Sequence, residues 1–533
     1  MKKRLLTLAL GLTLTQGLYA HNPIQASFSV EVIGQYQTGV FDDGASEIVA
    51  HDPRNQRLFS VNASATSVDV LDINDPANPM LIGTLEASSL GGSANSVAVH
   101  KDLVAVAIEA EDPQAPGLVA FYDSVGLNLI GTVPVGALPD MLTFTPNGRH
   151  LLVANEAEPN DDYDVDPEGS VSIIDLRDGA RHARVRTAGF ERFNDQIDEL
   201  RAKGIRIFAP NATVAQDLEP EYITVSSDSR RAWVSLQEAN ALAVIDIKRA
   251  RVIDLLPLGT KDHSIAQNAL DPSNRDDAIQ IANWPVHGMY MPDSIASYSY
   301  RGHTYIVTAN EGDSRDYDGY SEESRVKDLA LDPDAFPDAA SLQENENLGR
   351  LLVTSAQGDT DGDGDFDQLY SFGARSFSIW DARGQQVFDS ADQFERIIAQ
   401  QLPEQFNSNN DDNDSFDSRS DDKGPEPEGV AIGRIGRHTY AFIGLERIGG
   451  VMMYDISNPH APSFIHYINH RDFSVDAELP DGTSNPLAGD LGPEGLVFIP
   501  AAKSPNGDPM LVVGNEVSGT TTLYRIGTRD QKR

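Results

Sequence analysis

The chain has 533 residues, no cysteine, and 81 acidic against 41 basic residues, a formal net charge of −40. Such a surface repels phosphate backbones and anionic lipid heads, which excludes nucleic acid and membrane surfaces as natural partners and favours cations. With 40% hydrophobic residues the chain can bury a large core, and it must do so without disulfides.

The first twenty residues read as a secretory leader. Lys2, Lys3 and Arg4 form its basic end, residues 5–14 its apolar stretch, and Leu18-Tyr19-Ala20 a small-residue site for cleavage after Ala20. The apolar run is too short to span a bilayer, and no cysteine is present to take a lipid. The expectation is an exported protein, periplasmic or secreted, in which residues 21–533 form one domain with no membrane span.

From residue 30 onward one pattern recurs. A short alternating strand, opening on an acid in most copies, leads to a turn, a second strand, and a third strand rich in Asp-Ile or Asp-Leu endings. First strands are predicted at 47–51, 96–100, 140–144, 221–225, 293–297, 428–432 and 494–498. The matching third strands end near 73, 123, 176, 247, 381, 456 and 526. Period-two alternation marks each as β. Candidate fourth strands follow at 81–85, 129–133, 252–256 and 464–468. The last unit lacks one, and residues 30–39 have the character to supply it. The predicted fold is therefore all-β: a seven-bladed β-propeller in which an N-terminal strand completes the last blade.

Strand polarity in such blades puts the entry to the first strand and the link between strands two and three on one face. The long insertions, at about 177–220, 260–292, 311–375 and 390–427, fall in those links. They are expected to decorate a single face. Within the first, Phe190, Phe193, Ile197 and Leu200 share one helical face and read as packing residues. Residues 407–422, a run of Asn, Asp and Ser, read by default as a flexible solvated loop, with a second cation site as the alternative.

Two constellations carry chemistry. Asp359, Asp361, Asp363, Asp365 and Asp367 alternate through a glycine-containing loop and match the first part of an EF-hand-type calcium loop. Position twelve is Tyr370, so a remote acid or water would have to finish the shell; the competing reading is a solvated acidic loop. The second constellation is a ring of blade-leading acids: Glu47, Asp140, Glu221, Asp293, Glu428 and Glu494. A companion ring ends the second strands at Glu156, Glu238, Glu311, Glu446 and Glu516. Both rings should face one channel mouth, where like charges need cations or raised pKa values. The plainer alternative is that these acids bond backbone amides between blades. Arg315, Arg375 and Arg447 lie nearby in sequence. His287 is the only histidine close to these motifs, and a structural role is its default.

At these residues the sequence resembles the choice-of-anchor I family of exported propellers. The stretches that carry the resemblance are 288–293 (Gly-Met-Tyr-Met-Pro-Asp), 308–315 (Thr-Ala-Asn-Glu-Gly-Asp-Ser-Arg), 358–367, 372–381, 424–429 (Gly-Pro-Glu-Pro-Glu-Gly) and 514–519. Members of that family carry alkaline-phosphatase-like or mesenchyme-specific cell surface glycoprotein labels.

Two functions follow as expectations. In the first, the protein is a metal-dependent phosphoesterase. Calcium or another divalent cation would be held by Glu221, Asp293, Glu311, Glu428, Glu494 and Glu516, with Arg315 or Arg375 on the phosphate and Glu311 and Glu428 at the reacting centre. In the second, it is a non-catalytic, calcium-stiffened module that binds an extracellular or cell-surface partner. No Gly-x-Ser-x-Gly elbow, His-Glu-x-x-His pair or phosphate loop is present to decide between them.

Overall fold

The computed structural model describes residues 28–528. The expected leader, with its cleavage site after Ala20, lies outside the described residues. The described chain is dominated by four-stranded antiparallel sheets, seven in number. The first comprises Val49–Asp52, Arg57–Asn62, Ser67–Asp72 and Met80–Glu86. Five more follow in the same meander order, opening at Ala94–His100, Pro139–Phe144, Pro220–Val225, Ile295–Tyr300 and Pro427–Ile435. The seventh takes Pro493–Ile499, Met510–Asn515 and Thr520–Thr528, and its fourth strand is Phe28–Gln37. That strand runs antiparallel to Thr520–Thr528, with Phe28 opposite Thr528.

The side-chain alternation of each strand explains how the sheets stack. In Arg57–Asn62, Leu58 points to the seventh sheet, where it meets Met510, Val512 and Leu523. Its neighbours Phe59 and Val61 point to the second sheet, against Val104 and Val106. The same division recurs around the molecule: seven apolar clusters lie between successive sheets, the last joining the seventh to the first. Both faces of a sheet are covered, so the middle strands are hydrophobic almost throughout, as in His150–Asn155 and Met510–Asn515. This is the β-propeller way of packing sheets.

Glycine fixes how closely the first strands approach. A Cβ on Gly429 would sit 2.0 Å from the Glu494 carbonyl oxygen, and one on Gly495 would sit 2.5 Å from that of Glu47. The glycine of each Pro-Glu-Gly motif thus lets the next sheet's acid-bearing segment press against it.

One expected boundary changes, and one outer strand is added. Arg184–Gly189 pairs with Ser170–Asp175 as the outer strand of the third sheet, so the insertion after it covers residues 190–219. Gln386–Asp389 likewise closes the fifth sheet. The insertion at 190–219 holds a 3-10 turn, Glu191–Gln196, running into the helix Ile197–Ala202. Phe190, Phe193 and Leu200 are buried against the third and fourth sheets, with Ile197 packed at the cluster's edge.

The other insertions combine. Thr260–Asp262, His287–Met289, Glu323–Arg325, Leu352–Thr354 and Tyr370–Ser371 form a five-stranded satellite sheet with its own apolar core around Leu348, Leu351 and Val353. Residues 263–286, between its Thr260–Asp262 and His287–Met289 strands, form a first arm, and residues 390–427 a second. The flexible loop expected at 407–422 is instead packed: Asn407, Ser408 and Ser420 are fully buried, and Asn410, Asp417 and Asp421 nearly so. A low-complexity polar run can be ordered when its polar groups bond inward, and this one receives Arg375, Arg325, Arg350 and Arg471.

Candidate functional site

Four of the six acids of the first ring owe their direction to a break in their strand. The pairing register shifts between Pro139 and Leu142, Pro220 and Ile223, Pro427 and Val430, and Pro493 and Leu496. The residues in those bulges are Asp140, Glu221, Glu428 and Glu494 with their neighbours. A bulge re-aims a side chain, and a preceding proline supplies no amide proton to hold the ladder. Two acids of the second ring are placed by asparagines. Asn155 and Asn310 use their side-chain amides to tie the second strand to the third, through Ser170 and Ser172 and through Ser376 and Ser378. The glutamate that follows each of them is thereby delivered to the same end.

The result is a cavity of about 240 Å³ lined by Asp140, Glu156, Glu221, Asp293, Glu311, Asp313, Glu428 and Glu494, with Ser96, Tyr222 and Gln237 among them. No lysine, arginine or histidine lines it. Oxygens of Asp293, Glu311 and Glu428 lie within 4.8 Å of one another. Gln237 Nε2 donates to Glu311 Oε2 at 3.1 Å. One carboxylate oxygen on each of Glu221, Glu238, Glu428 and Glu494 is buried with no hydrogen-bond partner. Blade-to-blade amide bonding therefore leaves these oxygens unaccounted for.

The electrostatics follow from burial and crowding. Burial, then Glu516 and Asp140, push Glu47 up to about 8. Burial raises Asp140 to about 7, aided by Glu158. Glu311 also stands at about 7, raised by burial although Lys423 opposes the shift. Glu221, Asp293, Glu428 and Glu494 are driven well above the ordinary carboxylate range by burial and then by the neighbouring acids Glu238, Glu311, Glu446 and Glu47 respectively. A group of acids in this state either holds protons or welcomes a cation.

Beside the cavity lies a second cluster that sequence reading missed. Glu426 takes Arg419 at 2.6 Å, Arg447 at 2.9 Å and Lys423 at 3.4 Å. Burial opposes ionisation there, yet Lys423, Arg419 and Arg447 hold the carboxyl down to about 2. Lys423 also reaches Glu311 at 3.5 Å and Asp313 at 3.6 Å. In 424–429, then, two glutamates at alternate positions divide the work: Glu426 turns to the basic cluster and Glu428 to the cavity. That alternation was a readable signal. Glu446 pairs with Arg447 at 2.9 Å and Asn410 at 3.1 Å, and Glu516 sits beside it rather than in the cavity lining.

The arginines expected at the mouth are committed elsewhere. Arg315 is buried between Asp217 and Glu219, with a 2.8 Å contact to the latter. Arg375 donates to the carbonyls of Asp271, Ser420 and Asp422 and to Glu395. Both serve to pin insertions, because a buried guanidinium must spend its donors locally. His287 lies in the satellite sheet against Tyr370, away from the cavity.

The loop at 359–367 is a separate place. Oxygens of Asp359, Asp361 and Asp367 come within 4.8 Å of one another, and those of Asp332, Asp365 and Asp367 do the same. Asp363 belongs to neither group; it accepts from the Asp365 amide. Backbone amides of Gly362 and Gly364 bond Asp359, and Thr360 bonds Asp367. Asp332 is a remote acid of the kind position twelve left wanting.

Fold and site together define a β-propeller with an acidic mouth. The choice-of-anchor I domain model matches residues 47–459, and the chain belongs to that family. It is 31% identical over 191 residues to Gigasin-3a of Magallana gigas, covering 35% of this chain and 67% of that protein. It is 25% identical over 336 residues to the mesenchyme-specific cell surface glycoprotein of Strongylocentrotus purpuratus, covering 54% of this chain. The chain spans 42% of that relative's length. Among solved structures, the WD40 domain of Toxoplasma gondii coronin superposes with a TM-score of 0.48 at 9% identity, over 96% of this chain and 89% of that one.

Proposed function

We propose that the chain is an exported, cation-binding β-propeller that serves as an extracellular or cell-surface binding module. The seven sheets are read as seven blades of one ring closed by residues 28–37. A divalent cation of the calcium class sits at the mouth on Asp293, Glu311 and Glu428, with Glu221 and Glu494 behind them. The carrying observation is the set of buried carboxylate oxygens left without partners around a cavity that has no basic lining. Hard oxygen ligands of this number and charge suit calcium. A second cation at the 359–367 loop, completed by Asp332, is part of the same reading. Export draws support from the leader-like sequence and from the cell-surface relative, and no helix among the described residues is long and apolar enough to cross a membrane.

The phosphoesterase reading loses its phosphate contacts, since Arg315 and Arg375 are bound up in buried ion pairs. Lys423 reaches the lining acids Glu311 and Asp313, and with Glu426 three carboxylates already hold it. The test pairs metal counting with a phosphoester panel. Purified wild type should retain a divalent cation that Glu311→Gln with Glu428→Gln loses, and no ester should turn over in any metal. Equal cation content in both proteins overturns the metal site; metal-dependent turnover abolished by the double variant restores the enzyme reading.

A further inference from the structure

A different place in the molecule carries its own inference. The two arms meet over a knot of buried polar groups that the mouth does not involve. Asp271, on the first arm, is fully buried and accepts from the amides of Ser273 and Gln280. Its own amide donates to Glu395 Oε2 at 3.2 Å. The other oxygen of Glu395 takes Arg375 at 2.6 Å and the Asn407 side-chain amide at 3.1 Å. Asn407 Nδ2 also donates to Ser420 Oγ at 2.9 Å, and Ser420 Oγ donates to Asp417 Oδ1 at 2.5 Å. One chain of contacts thus links Asp271, Glu395, Asn407, Ser420 and Asp417.

Two atoms in this knot have no partner: Asp417 Oδ2 and Asn407 Oδ1. Asp417 is 3% exposed and Asn407 is fully buried. The amide of Asn407 cannot be turned over to cure this, because its oxygen would then face the Glu395 carboxylate. The charges are unbalanced too. Arg375 answers Glu395, while no basic side chain stands within ion-pair reach of Asp271 or Asp417. Two buried carboxylates and an amide oxygen, with two charges unanswered, are what a hard divalent cation binds.

We propose that Asp271, Asp417 and the amide oxygen of Asn407 hold a divalent cation of the calcium class where the two arms meet. Backbone carbonyls and water complete the shell, and the ion staples the first arm to the second. A proton shared from Asp417 to Asn407 would satisfy the same two oxygens, and the two arrangements predict opposite results.

Wild type, Asp417→Asn and Asp271→Asn are equilibrated with calcium chloride, and bound calcium is counted by mass spectrometry alongside thermal melting. Each variant should carry one calcium fewer than wild type, or bind it about tenfold or more weakly, and should gain less melting temperature from calcium. Wild-type calcium content in both variants overturns the site. So does an Asp417→Asn protein that melts at or above wild type in chelator and in calcium alike, because its amide would simply replace the shared proton. Glu311→Gln with Glu428→Gln leaves this ion in place, so failure here is distinguishable from failure at the mouth.

Discussion

The mouth and the 359–367 loop are both acidic, yet they are built in opposite ways. The loop draws most of its carboxylates from nine consecutive residues and stays exposed; its turns are fixed by Gly362 and Gly364 and by amides bonding Asp359. The mouth draws one or two acids from each of several sheets and buries them at bulges. Local order would make a weak, adjustable cation site, whereas a scaffold that buries acids together would make a strong one. Exposed acids can wait in water; the mouth acids have been desolvated before any ligand arrives.

The contrast breaks most readily at the mouth. Glu428→Gln should lower calcium affinity there by about 100-fold, since a lost ligand charge in a buried site is uncompensated. Isothermal titration checks this, and a change as small as that of a loop variant would erase the distinction between the two places.

The next largest effect concerns pH. In metal-free protein, burial holds Glu311 and Asp140 at about 7 and Glu47 at about 8, well above unfolded carboxylates at about 4.5. The native state then binds more protons than the unfolded one, so stability falls as pH rises from about 5 to about 8. Melting in chelator should show that fall, and saturating calcium should flatten it while releasing protons on binding. A melting temperature in chelator that rises over the same range would contradict the crowding of ionised acids.

A neutral substitution sharpens the point. Gly429→Ala places a methyl 2.0 Å from the Glu494 carbonyl and should cost about 1–3 kcal/mol of stability through overpacking. Cation content should drop with it, although no charge has been touched. Thermal melting and metal counting on one sample would check both.

The smallest effects belong to the loop. Asp361→Ala and Asp332→Ala should each reduce the gain in melting temperature from millimolar calcium by a degree or two, about the size expected from losing a weak ligand. Asp363→Ala should leave that gain unchanged, because its oxygens join neither group.

Much of this was legible in the chain. The seven repeat units carried both the sheets and the two acid rings, because alternation and an acid before a strand are local signals. The outer strands Arg184–Gly189 and Gln386–Asp389 were hidden: the first is rich in arginine and the second is only four residues long. Residues 407–422 read as solvated because composition does not reveal that Arg375 and Arg471 will cap their carbonyls. The roles of Arg315 and Arg375 depended on Asp217, Glu219 and Glu395, far away in sequence, and proximity to a motif was a poor guide. The orphaned oxygens of Glu221, Glu428 and Glu494 could not be read at all, since they arise only when separate sheets meet.

The pairing of Phe28–Gln37 with Thr520–Thr528 has a kinetic side. Five of the seven sheets are assembled from consecutive strands and a sixth from strands in sequence order around one long insertion, and each can begin forming once its own stretch of chain is made. The seventh must wait for both extremities, because its partners are separated by nearly the whole chain. Such a distant contact is entropically the most expensive to close and is expected among the last to form. Until it does, Thr520–Thr528 presents an unpaired edge that invites a strand from a neighbouring molecule. The same register that completes the seventh sheet therefore sets the interval in which newly made chains are most prone to associate wrongly.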